Sequence, residues 1–187
     1  PKPPRSADPY RVMLVDDSAV IRGLFARSLE SDPEVQVVAS VGDGQMAVNA
    51  LAKDKGKIEV IVLDIEMPRM DGLTALPELL KIDPDVPVVM ASTLTARNAD
   101  ISLKAMSLGA KDYIPKPSSM RELSAADAFK RDLLAKVKTF AAARRRKAGG
   151  SAPARARFAA DRRSAAAPAA PAAPAAKPSA AVSSAIQ

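Results

Sequence analysis

The chain has 187 residues, 28 of them basic and 21 acidic, and its formal net charge is +7. It has no cysteine and no histidine, which excludes disulfides, thiolate chemistry, histidine-ligated zinc and any catalytic triad that needs a histidine. No apolar run reaches the roughly 20 residues that span a bilayer, and the first residues lack the apolar stretch of a secretory signal. We therefore expect a cytoplasmic protein.

The positive charge is concentrated at the end of the chain. Residues 1–140 carry 19 basic and 20 acidic side chains, whereas residues 141–187 carry nine basic and one acidic. This last segment contains 21 alanines and repeated Ala-Pro steps, which prevent a continuous helix and leave few large apolar side chains to bury. We predict a disordered segment over 1–9, a folded domain over 10–146 and a disordered linker over 147–187, with no catalytic effector domain in this chain.

Within the predicted domain, short apolar runs alternate with helical patterns. The predicted strands are 11–15, 34–40, 58–63, 86–92 and 112–114. Each of the first four is followed by a helix, and a long helix follows the fifth. This alternation predicts the α/β class, with one doubly wound, five-stranded parallel sheet and helices on both faces.

Several residues mark the expected ends of helices. Ser18 is expected to cap the first helix, and Gly109 to end the fourth in a left-handed conformation. Ser118 and Ser119 offer caps to the long last helix, whose apolar face includes Leu123 and Leu133.

Two prolines fall inside predicted elements of secondary structure. Pro77 falls inside the third helix, where a proline kinks the helix unless it lies near the first turn. Pro115 falls in the fifth strand, where it removes a ladder donor, so that strand should lie at an edge of the sheet.

Polar side chains end four of the five predicted strands. Asp16 and Asp17 follow the first strand, Asp64 the third, Ser92 ends the fourth, and Lys116 follows the fifth. In an open parallel sheet, ligands bind beyond the carboxyl ends of the strands. We therefore expect three carboxylates, a hydroxyl and an ammonium group to meet there.

Such a group of residues favours a magnesium site that supports phosphoryl chemistry. Three close carboxylates repel one another, and a hard divalent cation such as Mg²⁺ relieves that repulsion. A carboxylate beside a metal can accept a phosphoryl group, while Lys116 neutralises its charge and the hydroxyl of Ser92 binds one of its oxygens. Each residue alone has an ordinary interpretation, such as a helix cap, a turn or a surface lysine. Their joint placement favours the functional one.

The motifs LVDDSAVIR, VLDIEMPRMDGL and DYIPKP, together with Ser92, resemble the receiver domain of bacterial two-component response regulators over about residues 10–140. The resemblance implies a flavodoxin-like sheet of strand order 2-1-3-4-5. It also implies that Asp64 is the phosphorylated residue. Asp16, Asp17 and the backbone carbonyl of Glu66 would then share the Mg²⁺ site with it.

The same resemblance assigns roles on the fourth and fifth strands. Ser92 and Tyr113 would be a switch pair that reorients on phosphorylation. Lys116 would contact the phosphoryl group, and the Lys116-Pro117 bond would be a cis peptide, which proline permits at low cost.

A narrower resemblance comes from DIEMPRMDGL, STLT after the fourth strand, SLKAMSLGAKDY and the long basic last helix. These look like the receiver of the chemotaxis protein-glutamate methylesterase, which is also a glutamine deamidase. The resemblance implies three partners: a chemotaxis histidine kinase as phosphodonor, a methylesterase effector domain in the same chain, and methyl-accepting chemoreceptors. This chain alone would carry only the gain and loss of the phosphoryl group.

Three other interpretations remain open. The chain could be a stand-alone receiver or the receiver of a DNA-binding transcriptional regulator. The basic segment ARRRKAGG and later arginines could contact nucleic-acid phosphates, although no recognition-helix pattern accompanies them. A haloacid-dehalogenase-like phosphatase also uses an aspartate after a parallel strand, but its Asp-x-Asp pair is absent because Asp64 is followed by Ile65 and Glu66.

Overall fold

A computed structural model of the chain describes residues 6–93, 96–116 and 123–149. Five strands alternate with five helices along this part of the chain. The strands are β1 (Tyr10–Val15), β2 (Val35–Val41), β3 (Val60–Asp64), β4 (Val88–Thr93) and β5 (Asp112–Lys116). The helices are α1 (Ala19–Leu29), α2 (Gly44–Lys53), α3 (Gly72–Ile82), α4 (Ala96–Ser107) and α5 (Leu123–Lys147).

The five strands form one parallel sheet in the order β2-β1-β3-β4-β5. Every residue of β3, the central strand, is buried, as a strand covered on both faces requires. The sheet confirms the predicted fold class and strand order. The strand bounds differ from the prediction by a few residues, and the main difference is that β5 continues to Lys116.

Two apolar layers hold the helices to the sheet. One packs Leu51 of α2 and Leu76 of α3 against Ile61 and Leu63 of β3. The other packs Phe25 of α1 with the α5 residues Phe129, Leu133 and Val137 on the opposite face. The alternating side chains of β1 and β3 supply both layers, so the central strands are fixed from both sides and their carboxyl ends are held in one place.

The predicted helix ends are confirmed where the structure describes them. Ser18 caps α1, and its Oγ accepts a hydrogen bond of 3.4 Å from the amide of Ile21. Gly109, at φ 108°, follows α4 and donates to the carbonyl of Met106, while Ala110 donates to Ala105. The predicted caps Ser118 and Ser119 lie outside the described residues.

The two prolines differ in their consequences. Pro115 lies in β5, the edge strand, and its register partner on β4 is Ser92, so the missing donor leaves the inner strands unaffected. Pro77 is the sixth residue of α3, well past the first turn. The helix nevertheless runs without interruption, because Leu76 and Leu79 on either side of Pro77 are fully buried against the sheet.

Helix α4 leaves large apolar side chains exposed. Ala105 is buried, whereas Leu103 and Met106 are 71% and 43% exposed. Leu108, just beyond the helix, is also exposed. The face of α4 that turns outward is therefore unusually apolar.

Helix α5 forms ion pairs with acidic residues at the beginning of every strand. Nζ of Lys138 lies 2.7 Å from Glu34, before β2, and Nζ of Lys136 lies 2.7 Å from Asp112, in β5. Arg145 binds both oxygens of Glu59, before β3. Three further pairs complete the set: Arg145 with Asp8, before β1, and Arg144 with Asp83 and Lys147 with Asp85, both before β4.

These contacts involve both ends of the domain. The amide of Ser6 donates to the carbonyl of Pro33, and Asp8 pairs with Arg145, so residues 6–9 contact the body of the domain. Three of the four cations in 144–147 are paired with carboxylates. This part of the basic segment is therefore occupied in the fold, which weakens the nucleic-acid interpretation. The predicted linker beyond 149 lies outside the described residues.

In residues 6–93, 96–116 and 123–149, no helix is both long enough and apolar enough to cross a membrane.

Candidate phosphorylation and metal site

Three aspartates meet at the carboxyl end of the sheet. Asp16 and Asp17 follow β1, and Asp64 is the last residue of β3, which neighbours β1. One carboxylate oxygen from each lies within 4.8 Å of the other two. Asp16 and Asp64 are 2% and 1% exposed, whereas Asp17 is exposed, so the cluster is buried on one side and open to solvent on the other.

Among the ion pairs of the described residues, one ammonium group contacts this cluster, and it belongs to Lys116. It is the last residue of β5, and its Nζ lies 2.6 Å from Oδ2 of Asp16 and 2.7 Å from Oδ1 of Asp64. The lysine is only 8% exposed. A single buried cation therefore faces three carboxylates, and the cluster keeps an excess of negative charge.

That excess affects the acidity of Asp64. Burial raises the pKa of Asp64 to about 6, because desolvation outweighs the hydrogen bond and charge of Lys116, and the nearby carboxylate of Asp16 also raises it. A carboxylate whose charge is this poorly compensated gains from a further cation.

The other predicted site residues lie close to the cluster in different ways. Ser92 is completely buried at the end of β4, one residue past Ala91, the register partner of Asp64. Glu66 donates its amide to Oδ1 of Asp64 at 3.2 Å, and its side chain accepts a 3.3 Å hydrogen bond from Thr93. The side chain of Glu66 therefore points across the mouth of the site.

Tyr113 lies further from the cluster. It is half-buried near the start of β5, where its register partner is Met90, and two residues separate it from Lys116. Its role as the partner of Ser92 in a switch stays a prediction. Likewise, the predicted cis bond between Lys116 and Pro117 involves a residue outside the described part.

The sequence prediction missed two residues that support the site. Nη1 of Arg22, on α1, donates to the carbonyl oxygens of Asp16 at 2.5 Å and Asp17 at 3.2 Å. A Cβ on Gly72, the first residue of α3, would lie 2.1 Å from the carbonyl oxygen of Asp64, so only glycine fits. Both residues occur inside the quoted motifs, but their contacts cannot be read from spacing alone.

The donor atoms fit Mg²⁺. All three side chains offer hard carboxylate oxygens, and the site is open on the side of Asp17. A bound cation would offset the cost of the buried charge on Asp64, a role that it would share with Lys116. Mg²⁺ keeps several waters and needs few protein ligands, which suits a half-open cluster. Asp16, Asp17 and Asp64 would hold it.

Comparisons with known proteins agree with this geometry. Residues 12–127 match the family model described as the response regulator receiver domain. The chain is 66% identical over 144 residues to a protein-glutamate methylesterase/protein-glutamine glutaminase of Rhodospirillum centenum, and 66% identical over 139 residues to one of Azospirillum brasilense. These matches cover 77% and 74% of this chain but 36% and 35% of the relatives. The chain therefore spans about a third of the length of these relatives.

Solved structures give the same result. The response regulator domain of Thermotoga maritima CheB is 35% identical, with a TM-score of 0.63, and the match covers 71% of this chain and 96% of that one. A CheY6 complex with the P1 domain of CheA3 from R. sphaeroides matches at 32% identity and a TM-score of 0.54, covering 70% and 99%. The predicted similarity to methylesterase receivers is confirmed, and the phosphatase interpretation loses its support. This chain belongs to the response regulator receiver family.

Proposed function

We propose that the chain is the phosphorylation-controlled receiver of a chemotaxis protein-glutamate methylesterase and glutaminase. Asp64 accepts a phosphoryl group from a histidine kinase in a reaction that needs Mg²⁺. The observation that carries this proposal is Asp64 itself, a buried carboxylate at the end of the central strand. Lys116 contacts it, and two more carboxylates border it.

The chemistry follows from the arrangement of the side chains. An oxygen of Asp64 forms a bond to phosphorus, the bond from phosphorus to the donor nitrogen breaks, and its electron pair stays on that nitrogen. Mg²⁺, when bound, neutralises charge on the phosphoryl oxygens and orients them. Lys116 would stabilise the same charge, and the buried hydroxyl of Ser92 would donate to a phosphoryl oxygen.

The phosphoryl group would control an effector domain. In the proposed arrangement, the unphosphorylated receiver covers the catalytic face of the methylesterase in the same protein, and phosphorylation releases it. Movement of Ser92 towards the phosphoryl group, with reorientation of Tyr113, would change the surface formed by α4, β5 and α5. The whole protein would act in the cytoplasm on methyl-accepting chemoreceptors.

Phosphorylation with a small-molecule donor tests the proposal. The protein is incubated with acetyl phosphate, with and without Mg²⁺, and analysed by intact-mass spectrometry. We expect one added phosphoryl group that depends on Mg²⁺, is removed by hydroxylamine and is absent from Asp64→Asn. Asp54→Asn, which alters an exposed aspartate elsewhere, is the matched control and should react like the wild type. A modification that survives Asp64→Asn would contradict the assignment.

A further inference from the structure

The loop between β3 and α3, residues 65–71, is fixed firmly at its two ends. The amide of Gly72 donates to the carbonyl of Ile65 at 3.0 Å, which closes the base of the loop. Gly72 also packs directly against the backbone of Asp64. The loop carries Glu66, whose carbonyl is the predicted backbone ligand for Mg²⁺, so its conformation bears on the metal site.

The middle of the loop adopts an uncommon backbone conformation. Arg69, at φ 66°, is the one non-glycine residue with positive φ among the residues that the structure describes. The amide of Met70 donates to the carbonyl of Pro68 at 2.8 Å, so residues 68–70 form a tight γ-turn around Arg69. This form of γ-turn is rare and strained, and it persists only when other contacts hold it.

Contacts with the beginning of α2 hold this turn. The guanidinium group of Arg69 pairs with Asp43, whose side chain is only 3% exposed although that of Arg69 is 72% exposed. Asp43 is in turn fixed as the cap of α2, where it accepts a 2.8 Å hydrogen bond from the amide of Met46. The next residue, Gly44, donates its amide to the carbonyl of Met70 at 3.2 Å. Two consecutive residues of the α2 terminus therefore bind two consecutive residues of the loop.

A side chain on Gly44 would break this contact. Its Cβ would lie 2.8 Å from the carbonyl oxygen of Met70 and equally close to Ala75 of α3. The loop, α2 and α3 are thus in van der Waals contact around the Arg69–Asp43 pair. The pair is the charged part of a junction that also contains the backbone of Gly44 and Met70 and the side chains of Met70 and Ala75.

We propose that Arg69 and Asp43 are positioning residues for the metal site: their ion pair holds the β3–α3 loop in the conformation that presents the Glu66 carbonyl to Mg²⁺. Neither residue touches the cluster of Asp16, Asp17 and Asp64. Their effect is exerted through the loop backbone, as outer-shell partners of metal ligands act. This inference rests on the proposed function for the identity of the metal.

Calorimetric titration with Mg²⁺ is the primary test. Arg69→Gly removes the guanidinium group and relieves the positive φ, so the variant should fold without added strain. Asp43→Asn keeps an oxygen to cap α2 but removes the charge. We expect each to bind Mg²⁺ about tenfold more weakly, at the low end of the effect of outer-shell partners. Arg69→Lys should recover most of the affinity. Lys57→Ala, which breaks an exposed pair beyond the other end of α2, should bind like the wild type.

Two further measurements separate positioning from general stability. In metal-free protein, amide exchange over residues 65–71 should be faster in Arg69→Gly, with the thermal midpoint close to that of the wild type. The Mg²⁺ concentration for half-maximal phosphorylation by acetyl phosphate should rise about tenfold. The rate at saturating Mg²⁺ should stay within about twofold of the wild-type rate, because the reacting groups are untouched.

The possible outcomes have distinct meanings. Wild-type Mg²⁺ affinity in folded Arg69→Gly and Asp43→Asn would overturn the inference while leaving the proposed function intact. A lowered thermal midpoint with unchanged Mg²⁺ affinity would also overturn the inference, because it would show that the Arg69–Asp43 pair contributes to stability and not to metal binding. A wild-type protein that binds Mg²⁺ but is never phosphorylated would instead contradict the proposed function.

Discussion

The two ends of the sheet differ in how far their carboxylates are neutralised by cations. At the amino end, cations of α5 pair with acidic residues at the start of all five strands, and Arg145 alone binds both Glu59 and Asp8. At the carboxyl end, Lys116 is the one cation that pairs with the cluster of Asp16, Asp17 and Asp64 within the part of the chain that the structure describes. The balanced end holds the fold together, whereas the unbalanced end carries an electrostatic cost that a bound metal ion would relieve.

Loss of the arginine at the amino end should have the largest effect. Arg145→Met leaves Glu59 buried without its bidentate partner, and breaking such a buried pair costs about 3–5 kcal/mol in the free energy of unfolding. Urea denaturation measures this loss. The neighbouring Arg146 is exposed, so Arg146→Met should change stability by less than about 0.5 kcal/mol.

The same variant separates the two ends. Folded Arg145→Met should be phosphorylated by acetyl phosphate at close to the wild-type rate, because nothing at the carboxyl end has changed. A severe loss of phosphorylation without a loss of stability would show that the division between the two ends is wrong.

Loss of the lysine at the carboxyl end should slow phosphorylation. Lys116→Met removes the ammonium group that would stabilise phosphoryl charge in the proposed reaction, so phosphorylation at saturating Mg²⁺ should fall by about 100-fold, or about 2.7 kcal/mol in the barrier. The rate of phosphorylation by acetyl phosphate is the measurement. Lys111→Met, which alters an exposed lysine just before β5, serves as the control. Equal phosphorylation rates in Lys116→Met and Lys111→Met would contradict a role for Lys116 in the reaction.

The smallest predicted effect is a gain in stability when the buried charge of Asp64 is removed. The folded-state pKa of Asp64 is raised to about 6, so the ionised group costs stability above that pH, and the cost fades as pH falls towards the unfolded pKa near 4. Asp64→Asn should therefore be more stable by about 1–2 kcal/mol at pH 7.5 without Mg²⁺, less than the full shift because Lys116 loses a partner. The gain should disappear by about pH 4.

Urea denaturation of both proteins across this pH range measures that gain. The pKa of Asp54 is lowered by Lys57, so Asp54→Asn should show the opposite sign. A gain for Asp64→Asn that did not vary with pH would contradict a cause based on charge.

The cluster at the carboxyl end of the sheet was largely predictable because each of its residues is identified by its position next to a predicted strand. Asp16, Asp17, Asp64 and Lys116 each lie at or next to the end of a strand, and parallel strands bring those ends together. Helix ends such as Ser18 and Gly109 were predictable for the same reason, since a cap depends on a few neighbouring residues.

The amino end was not predictable in this way. Its pairs join residues far apart in sequence, and nothing in the run ARRRK distinguishes the buried Arg145 from the exposed Arg146 except its place on a helix whose packing is known only from the structure. The Arg69–Asp43 pair escaped prediction likewise, because it depends on the direction of a side chain in a turn.

The ion pairs of α5 also bear on how the domain folds. Every predicted phosphorylation and metal residue lies within the first 116 positions, whereas Arg145 must find Asp8, 137 residues earlier, and Lys138 must find Asp32, 106 residues earlier. Contacts of such long range form only after the intervening chain has lost much of its freedom, and they slow folding. During synthesis, the residues that would carry out the chemistry thus emerge well before α5, the helix whose ion pairs stabilise the amino end of the sheet. The domain therefore reaches full stability only after the last turn of α5 has formed.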